Sequence, residues 1–312
     1  MTQGLIAIVG PTATGKTALA IALAQRLGGE IVGADSRQVY RQMDIGTAKP
    51  TAEERALAPH HLIDVIDLDQ EFSLAQYLEQ AGAALEDVWS RGKQPLLVGG
   101  SGQYVWALLE GWRVPRLPPQ RELRRELGER ADRQGAEALH RELAQVDPKA
   151  AARIDPRNVR RVIRALEVHK VTGRPISYWQ EKGPPPWEVL TLGLTCPRQE
   201  LYERIDARVD SMMEAGLVEE VRGLLSMGYD PSLASMSGIG YKQVCQHLAG
   251  DLDLATAVAR IKTSTHRLAR QQYTWFRLDD GRIRWLEGDD AVDEAVALAE
   301  QFLEESARTT AR

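Results

Sequence analysis

The chain has 312 residues, 43% of them hydrophobic and 27% charged, which suits a globular protein of one large or two ordinary domains with a sizeable core. A net charge of −5 excludes a protein that coats nucleic acid through a uniformly basic surface, but leaves room for local basic patches. No apolar run approaches the roughly 18 residues that cross a bilayer, and no signal peptide fits the start. Cys196 and Cys245 are far apart and in no metal-type spacing, so they read as reduced, packed residues of a cytoplasmic protein.

In chain order, apolar runs predict strands at residues 5–9, 30–33, 62–65, 95–98 and 190–194, with a short one at 282–286. Helical periodicity separates them, as at 16–27 and 74–89. Strands alternating with helices predict an α/β fold, a parallel sheet with helices on both faces. From 116 to 174 the period is helical throughout, and Pro118-Pro119 and Pro184-Pro185-Pro186 punctuate its ends. The chain therefore divides into a core, 1–115 and 188–312, and a helical insertion, 116–187. The last residues, 306–312, are expected to fray.

Charge separates these parts. Residues 116–174 carry 15 Lys/Arg against 9 Asp/Glu, a net of +6, which leaves −11 for the rest. Residues 254–278 hold Arg260, Lys262, Arg267, Arg270 and Arg277 with no acid, interleaved with Tyr273, Trp275 and Phe276. Either segment alone could be a solvated helix face. Two of them on an acidic chain that also has a phosphate loop point to RNA phosphates.

That loop is Gly10-Pro11-Thr12-Ala13-Thr14-Gly15-Lys16-Thr17, a P-loop pattern between an apolar strand and an alanine-rich helix. Its glycines let several N–H groups converge on one anion, and the helix N-terminus adds its positive end. Lys16 adds a mobile cation, and the Thr17 hydroxyl is placed to ligate Mg²⁺. The loop does not say whether the phosphates belong to a nucleotide. Asp35 follows the second strand, at the carboxyl edge where ligands of open parallel sheets bind. A lone Asp there is commonly only a cap or turn former.

The wider pattern is more specific. Asp35-Ser36-Arg37-Gln38-Val39-Tyr40 runs on to Met43-Asp44-Ile45-Gly46-Thr47-Ala48-Lys49-Pro50. His60-His61-Leu62-Ile63-Asp64 follows, then Leu97-Val98-Gly99-Gly100-Ser101-Gly102-Gln103-Tyr104. Later come Asp155-Pro156-Arg157-Asn158-Val159-Arg160-Arg161-Val162-Ile163-Arg164-Ala165-Leu166-Glu167 and Ile239-Gly240-Tyr241-Lys242. Over almost the whole chain, and in this order, these segments resemble the tRNA dimethylallyltransferase family.

The resemblance implies a P-loop NTPase-like fold in which the loop, Gly10 to Thr17, holds the diphosphate of dimethylallyl diphosphate. It implies transfer of the five-carbon group to N6 of the adenosine just 3′ of the anticodon. It implies that core and insertion together clasp the anticodon stem-loop. Asp35 matches the proposed general base or acceptor for the adenine amino group, Thr12 a residue near the reacting centre, and Arg208 an arginine directed at the diphosphate. By residue type alone, Arg208 would more naturally pair with Asp206 or Asp210. Asp35, Ser36, Arg37, Gln38 and Ser101 match the acceptor side. Leu123, Arg124, Val159, Arg160, Arg161, Val162, Ile163, Lys242, Arg267 and Arg270 are the candidate tRNA contacts. The family more often has threonine at Ser101 and leucine at Gln103. His60 and His61 receive no catalytic role. The absence of a C-x₂-C extension suggests the short bacterial type. The resemblance implies a monomer, since the family is generally monomeric, and the chain is expected to be cytoplasmic with no membrane association.

The chemistry agrees. The adenine amino group is a poor nucleophile that a carboxylate can orient and deprotonate. The diphosphate gains charge as the C–O bond breaks, so convergent N–H groups, a lysine, a cation and an arginine are what it needs. Three rivals remain: an adenylate isopentenyltransferase acting on AMP or ADP, a small-molecule P-loop kinase, and a non-catalytic RNA-binding GTPase-like module. The basic segments disfavour the first. The lack of an Asn-Lys-x-Asp motif disfavours the last.

Overall fold

A computed structural model describes residues 4–183, 187–288 and 291–310. The chain splits into two compact units: residues 74–76 with 110–184, and the remainder. The larger unit begins with β1 (Gly4–Val9), α1 (Lys16–Leu27), β2 (Gly29–Gly33), α2 (Ala52–Leu57), β3 (His60–His61), most of α3 (Leu74–Ser90), β4 (Gln94–Val98) and α4 (Gly102–Leu109). The smaller unit consists mainly of α5 (Arg121–Gln134), α6 (Ala136–Val146), α7 (Pro148–Ala151), α8 (Val159–Thr172) and α9 (Ile176–Trp179). The larger unit then resumes with β5 (Glu188–Leu194), α10 (Arg198–Glu214), α11 (Leu217–Ser226), α12 (Tyr241–Leu248), α13 (Leu254–Trp275), β6 (Ile283–Leu286) and α14 (Ala291–Thr310).

The six strands form one sheet of order β3-β2-β4-β1-β5-β6, and every pairing is parallel. The alternation in β1 explains the burial of both faces. Ile6 and Ile8 join Leu19 and Leu23 of α1 and Ala295 and Ala299 of α14 in one core, while Leu5, Ala7 and Val9, on the opposite face, are equally buried. A second core gathers Val39, Tyr40 and Met43 with Val209, Leu217, Val221 and Tyr241. The smaller unit has its own core, in which Leu127, Leu139, Leu143, Val162 and Leu166 meet. Where the chain enters and leaves this unit, Gly183 N donates to Gly111 O at 3.1 Å and Arg113 N to Glu181 O at 3.3 Å.

Two expectations are corrected. Residues 62–65 are not a strand; the strand is His60–His61. Leu62 and Asp64 take left-handed backbone, with φ of 63° and 57°. Asp64 is drawn out of line by Lys49 (2.7 Å) and Arg55 (2.9 Å), so an ionic network overrides the apolar pattern. Lys49, 7% exposed, also donates to Tyr40 O and Asp44, which satisfies its buried ammonium. Nor does the C-terminus fray from residue 306. There α14 continues to Thr310, and the buried Ser306 hydroxyl donates to Glu188 at 2.6 Å. Pro184-Pro185-Pro186, residues 311–312, and 289–290 lie outside the described residues. No described helix is long and apolar enough to cross a membrane.

Glu30, on β2, is 6% exposed and is held by Arg91 and, at 2.7 Å, by His61. The Arg91 guanidinium pulls its carboxyl down to about 2 from an ordinary 4.5, against the cost of burial, with His61 assisting. A carboxyl with a depressed folded pKa stabilises the fold above its unfolded value and loses that contribution as pH falls through the folded one. Glu30→Gln should therefore melt below wild type at neutral pH, and the gap should close between pH 4.5 and about 2. Melting curves with a pH-independent gap would remove Glu30 from the acid response.

Candidate active site

The functional loops lie at the carboxyl edge of the sheet, as they should in an open parallel fold. Gly10 follows β1 with φ of 134°, and a Cβ there would collide with the Leu194 carbonyl of β5, so only glycine lets the loop turn at this point. The loop closes on α1, whose N-cap Gly15 supplies no side-chain cap. The first-turn N–H groups of a helix have no partner within it, and such an uncapped end suits an anion. Thr14 Oγ1 donates to Pro11 O at 2.9 Å and Lys16 Nζ to the same carbonyl at 2.6 Å, which folds the loop back on itself. Burial pushes the Lys16 ammonium down to about 7; the Arg208 guanidinium adds to this and the Asp35 carboxylate opposes it. All three groups thus share one electrostatic neighbourhood.

Asp35, Thr12 and Arg208 line a single pocket of about 470 Å³. Arg208 Nη1 is 3.5 Å from Thr12 Oγ1. Of the acids expected to compete for Arg208, Asp210 pairs with Lys262 at 2.8 Å, and Asp206 Oδ1 faces His266 Nε2 at 2.8 Å. Burial works against the Arg208 charge and Asp35 supports it. Asp35 Oδ1 accepts from Arg37 N at 2.8 Å and from Gln38 N at 3.4 Å. The turn-forming role and the place in the pocket therefore belong to one carboxylate.

The other walls are tied to these residues. Ser101 Oγ accepts from Ser36 N at 3.0 Å, joining the loop after β4 to the loop after β2. Arg37 donates to Ala234 O and Ser235 O, and Gln38 to Thr47 O and Ala48 O. Sequence reasoning missed two organisers. Glu220 accepts from the backbone of Asp44, Ile45 and Gly46 and from Tyr241 Oη, so it holds the 44–46 turn beside the pocket. Nothing in its local sequence signals this. Gln272 joins the phosphate loop to Gly100; its signal is a polar residue in the buried stripe of α13, with Ala257, Ile261 and Ala269.

Of the candidate tRNA contacts, Arg160 and Arg161 are exposed at the start of α8, and Lys242, Arg267 and Arg270 are exposed on α12 and α13. Others have structural employment. Val162 is fully buried in the smaller unit's core, with Leu123, Val159 and Ile163 packed around it. Arg124 pairs with Glu167 at 2.8 Å and Arg164 does so at 2.6 Å, neutralising a fully buried carboxylate. Arg124 thereby ties α5 to α8, while Arg164 braces Glu167 within α8.

Among the described residues no group of three or more His, Cys, Asp or Glu could cage a metal. A hard cation at the loop would rest on the Thr17 hydroxyl, which forms no hydrogen bond among the described residues, and on substrate oxygens. That donor set suits Mg²⁺, which keeps much of its shell as phosphate and water.

A parallel sheet of this order, with a P-loop closing on α1 and an acid and an arginine beside it, defines an α/β protein of the P-loop NTPase-like class. Residues 38–279 match the family described as IPP transferase, and residues 3–69 the one described as isopentenyl transferase. A tRNA dimethylallyltransferase of Chloroflexus aggregans is 59% identical over 273 residues, 88% of this chain and 92% of that one. The tRNA isopentenylpyrophosphate transferase of Bacillus halodurans superposes with a TM-score of 0.74 at 40% identity, covering 99% of this chain and 100% of that one. A eukaryotic dimethylallyltransferase acting on tRNA superposes with a TM-score of 0.84 at 28% identity, covering 97% and 80%. The chain belongs to the IPP transferase family.

Proposed function

We propose that the protein transfers the dimethylallyl group of dimethylallyl diphosphate to N6 of the adenosine 3′-adjacent to the anticodon of tRNA, releasing diphosphate. The observation that carries this is the convergence of Asp35, Thr12 and Arg208 on one pocket beside the Lys16 loop. A bond forms from N6 to C1 of the allyl group as the C1–O bond to the diphosphate breaks. Asp35 holds the amino group in line and takes the proton that N6 loses. The N–H groups of Ala13 to Thr17, Lys16, Arg208 and the Thr12 hydroxyl receive the charge growing on the leaving diphosphate. A Mg²⁺ on Thr17 would neutralise part of that charge. Ser36, Arg37, Gln38 and Ser101 shape the acceptor side. The free Cys196 and Cys245 accord with a cytoplasmic enzyme, and the family likeness favours a monomer. Replacing the target adenosine by guanosine in a tRNA transcript should abolish labelling; continued labelling at that site would refute N6 transfer.

The exposed Arg160, Arg161, Lys242, Arg267 and Arg270 meet tRNA phosphates, whereas Leu123, Arg124, Val159, Val162 and Ile163 serve by holding α8, which presents Arg160 and Arg161. Arg160→Ala with Arg161→Ala should weaken tRNA binding and reduce its salt slope by about one unit per lost phosphate contact. Dimethylallyl diphosphate affinity should not change. An unaltered tRNA affinity and slope would return both arginines to a solvated face.

A further inference from the structure

Gln272 sits on α13 at 8% exposure, in line with buried apolar residues. Its Oε1 accepts from Thr12 N at 2.8 Å, and its Nε2 donates to Gly100 O at 3.0 Å. The partners fix which end is which, because a backbone N–H only donates and a carbonyl only accepts. A buried amide is costly unless both ends are satisfied, and here both are.

We propose that Gln272 is a positioning residue that sets the gap between the leaving group and the acceptor base; this rests on the function proposed above. One bond fixes the phosphate loop. It withdraws the Thr12 N–H from the anion-binding set and holds Thr12 with its hydroxyl toward Arg208. The other bond fixes the loop after β4, whose Ser101 hydroxyl is joined to Ser36, next to Asp35. A single side chain therefore sets the distance between the group that assists the diphosphate and the group that assists the amine. The fit is tight: a Cβ on Gly100 would collide with the Gln272 amide nitrogen. Trp275, one helical turn on, packs directly against Gly102, so α13 braces the same loop at a second point. Angstrom-scale misplacement of reacting groups can lower a rate by about 100-fold without loss of substrate binding.

The test uses the full chain with dimethylallyl diphosphate and tRNA. Gln272→Met keeps bulk and length but loses both hydrogen bonds. It should lower kcat by roughly 10- to 100-fold while the Kd of each substrate, measured separately, stays within about threefold. Gly100→Ala should slow the wild type through collision with Gln272 and slow Gln272→Ala much less, so the two changes should be non-additive. Should Gln272→Ala fail to fold, Gln272→Met carries the test, with melting curves as control. A Gln272→Met variant with wild-type kcat overturns the assignment, as does one that loses only substrate affinity. A wild-type enzyme inactive on tRNA would bring down the proposed function first, whereas an active wild type matched by Gln272→Met overturns this inference alone.

Discussion

Replacing Asp35 with alanine should lower kcat on tRNA by about 10²–10⁴, the usual worth of general-base assistance. Affinity for tRNA should change little, because the loss is felt in the transition state. Asp35 Oδ1 receives the N–H groups of Arg37 and Gln38, so alanine removes a turn-forming acceptor as well as a base. Asparagine keeps that acceptor and cannot take the proton. If Asp35→Asn remains as slow as alanine, proton removal is the dominant role. If asparagine restores most of the rate, Asp35 orients the amine and water takes the proton. Near-wild-type kcat in both variants would leave Asp35 as a turn former and displace the catalytic centre.

Lys16→Ala should weaken binding of dimethylallyl diphosphate roughly 10- to 100-fold, since a hydrogen bond to a charged group is worth about 1.5–3 kcal/mol. Transfer should slow in parallel. The lysine also predicts a pH signature. Burial holds its ammonium near 7 in the free protein, and a bound diphosphate favours the charged form. Binding should therefore draw in a proton, increasingly so as pH rises through 7, and affinity should fall above that pH. Calorimetry in buffers of different ionisation enthalpy reads this uptake directly. Lys16→Ala should abolish it; uptake that persists in the variant would assign the proton to another group.

The sheet and the phosphate loop were legible because both are local. Apolar runs mark β1, β2, β4 and β5, and the spacing of Gly10, Gly15, Lys16 and Thr17 fixes the loop. The run at 62–65 misled because its outcome depends on Lys49 and Arg55, whose contacts with Asp64 no local pattern encodes. The aim of Arg208 was readable only through family likeness, since the sequence offers Asp206 and Asp210 as equally good partners. In the structure Asp206 instead faces His266 and Asp210 pairs with Lys262. Glu220 and Gln272 reach backbone partners 172 to 260 residues away in the chain, so their roles appear only once the fold brings those partners together.

The central claim is that the phosphate loop holds a leaving diphosphate and that the acceptor is an adenosine within tRNA. Incubating the purified chain with dimethylallyl diphosphate labelled in the allyl group, together with ATP, AMP and tRNA, tests it in one reaction. Label is expected in tRNA alone, on one adenosine per molecule beside the anticodon, with diphosphate released in equal amount and ATP intact. Label on free AMP, or consumption of ATP with no label in tRNA, would contradict it.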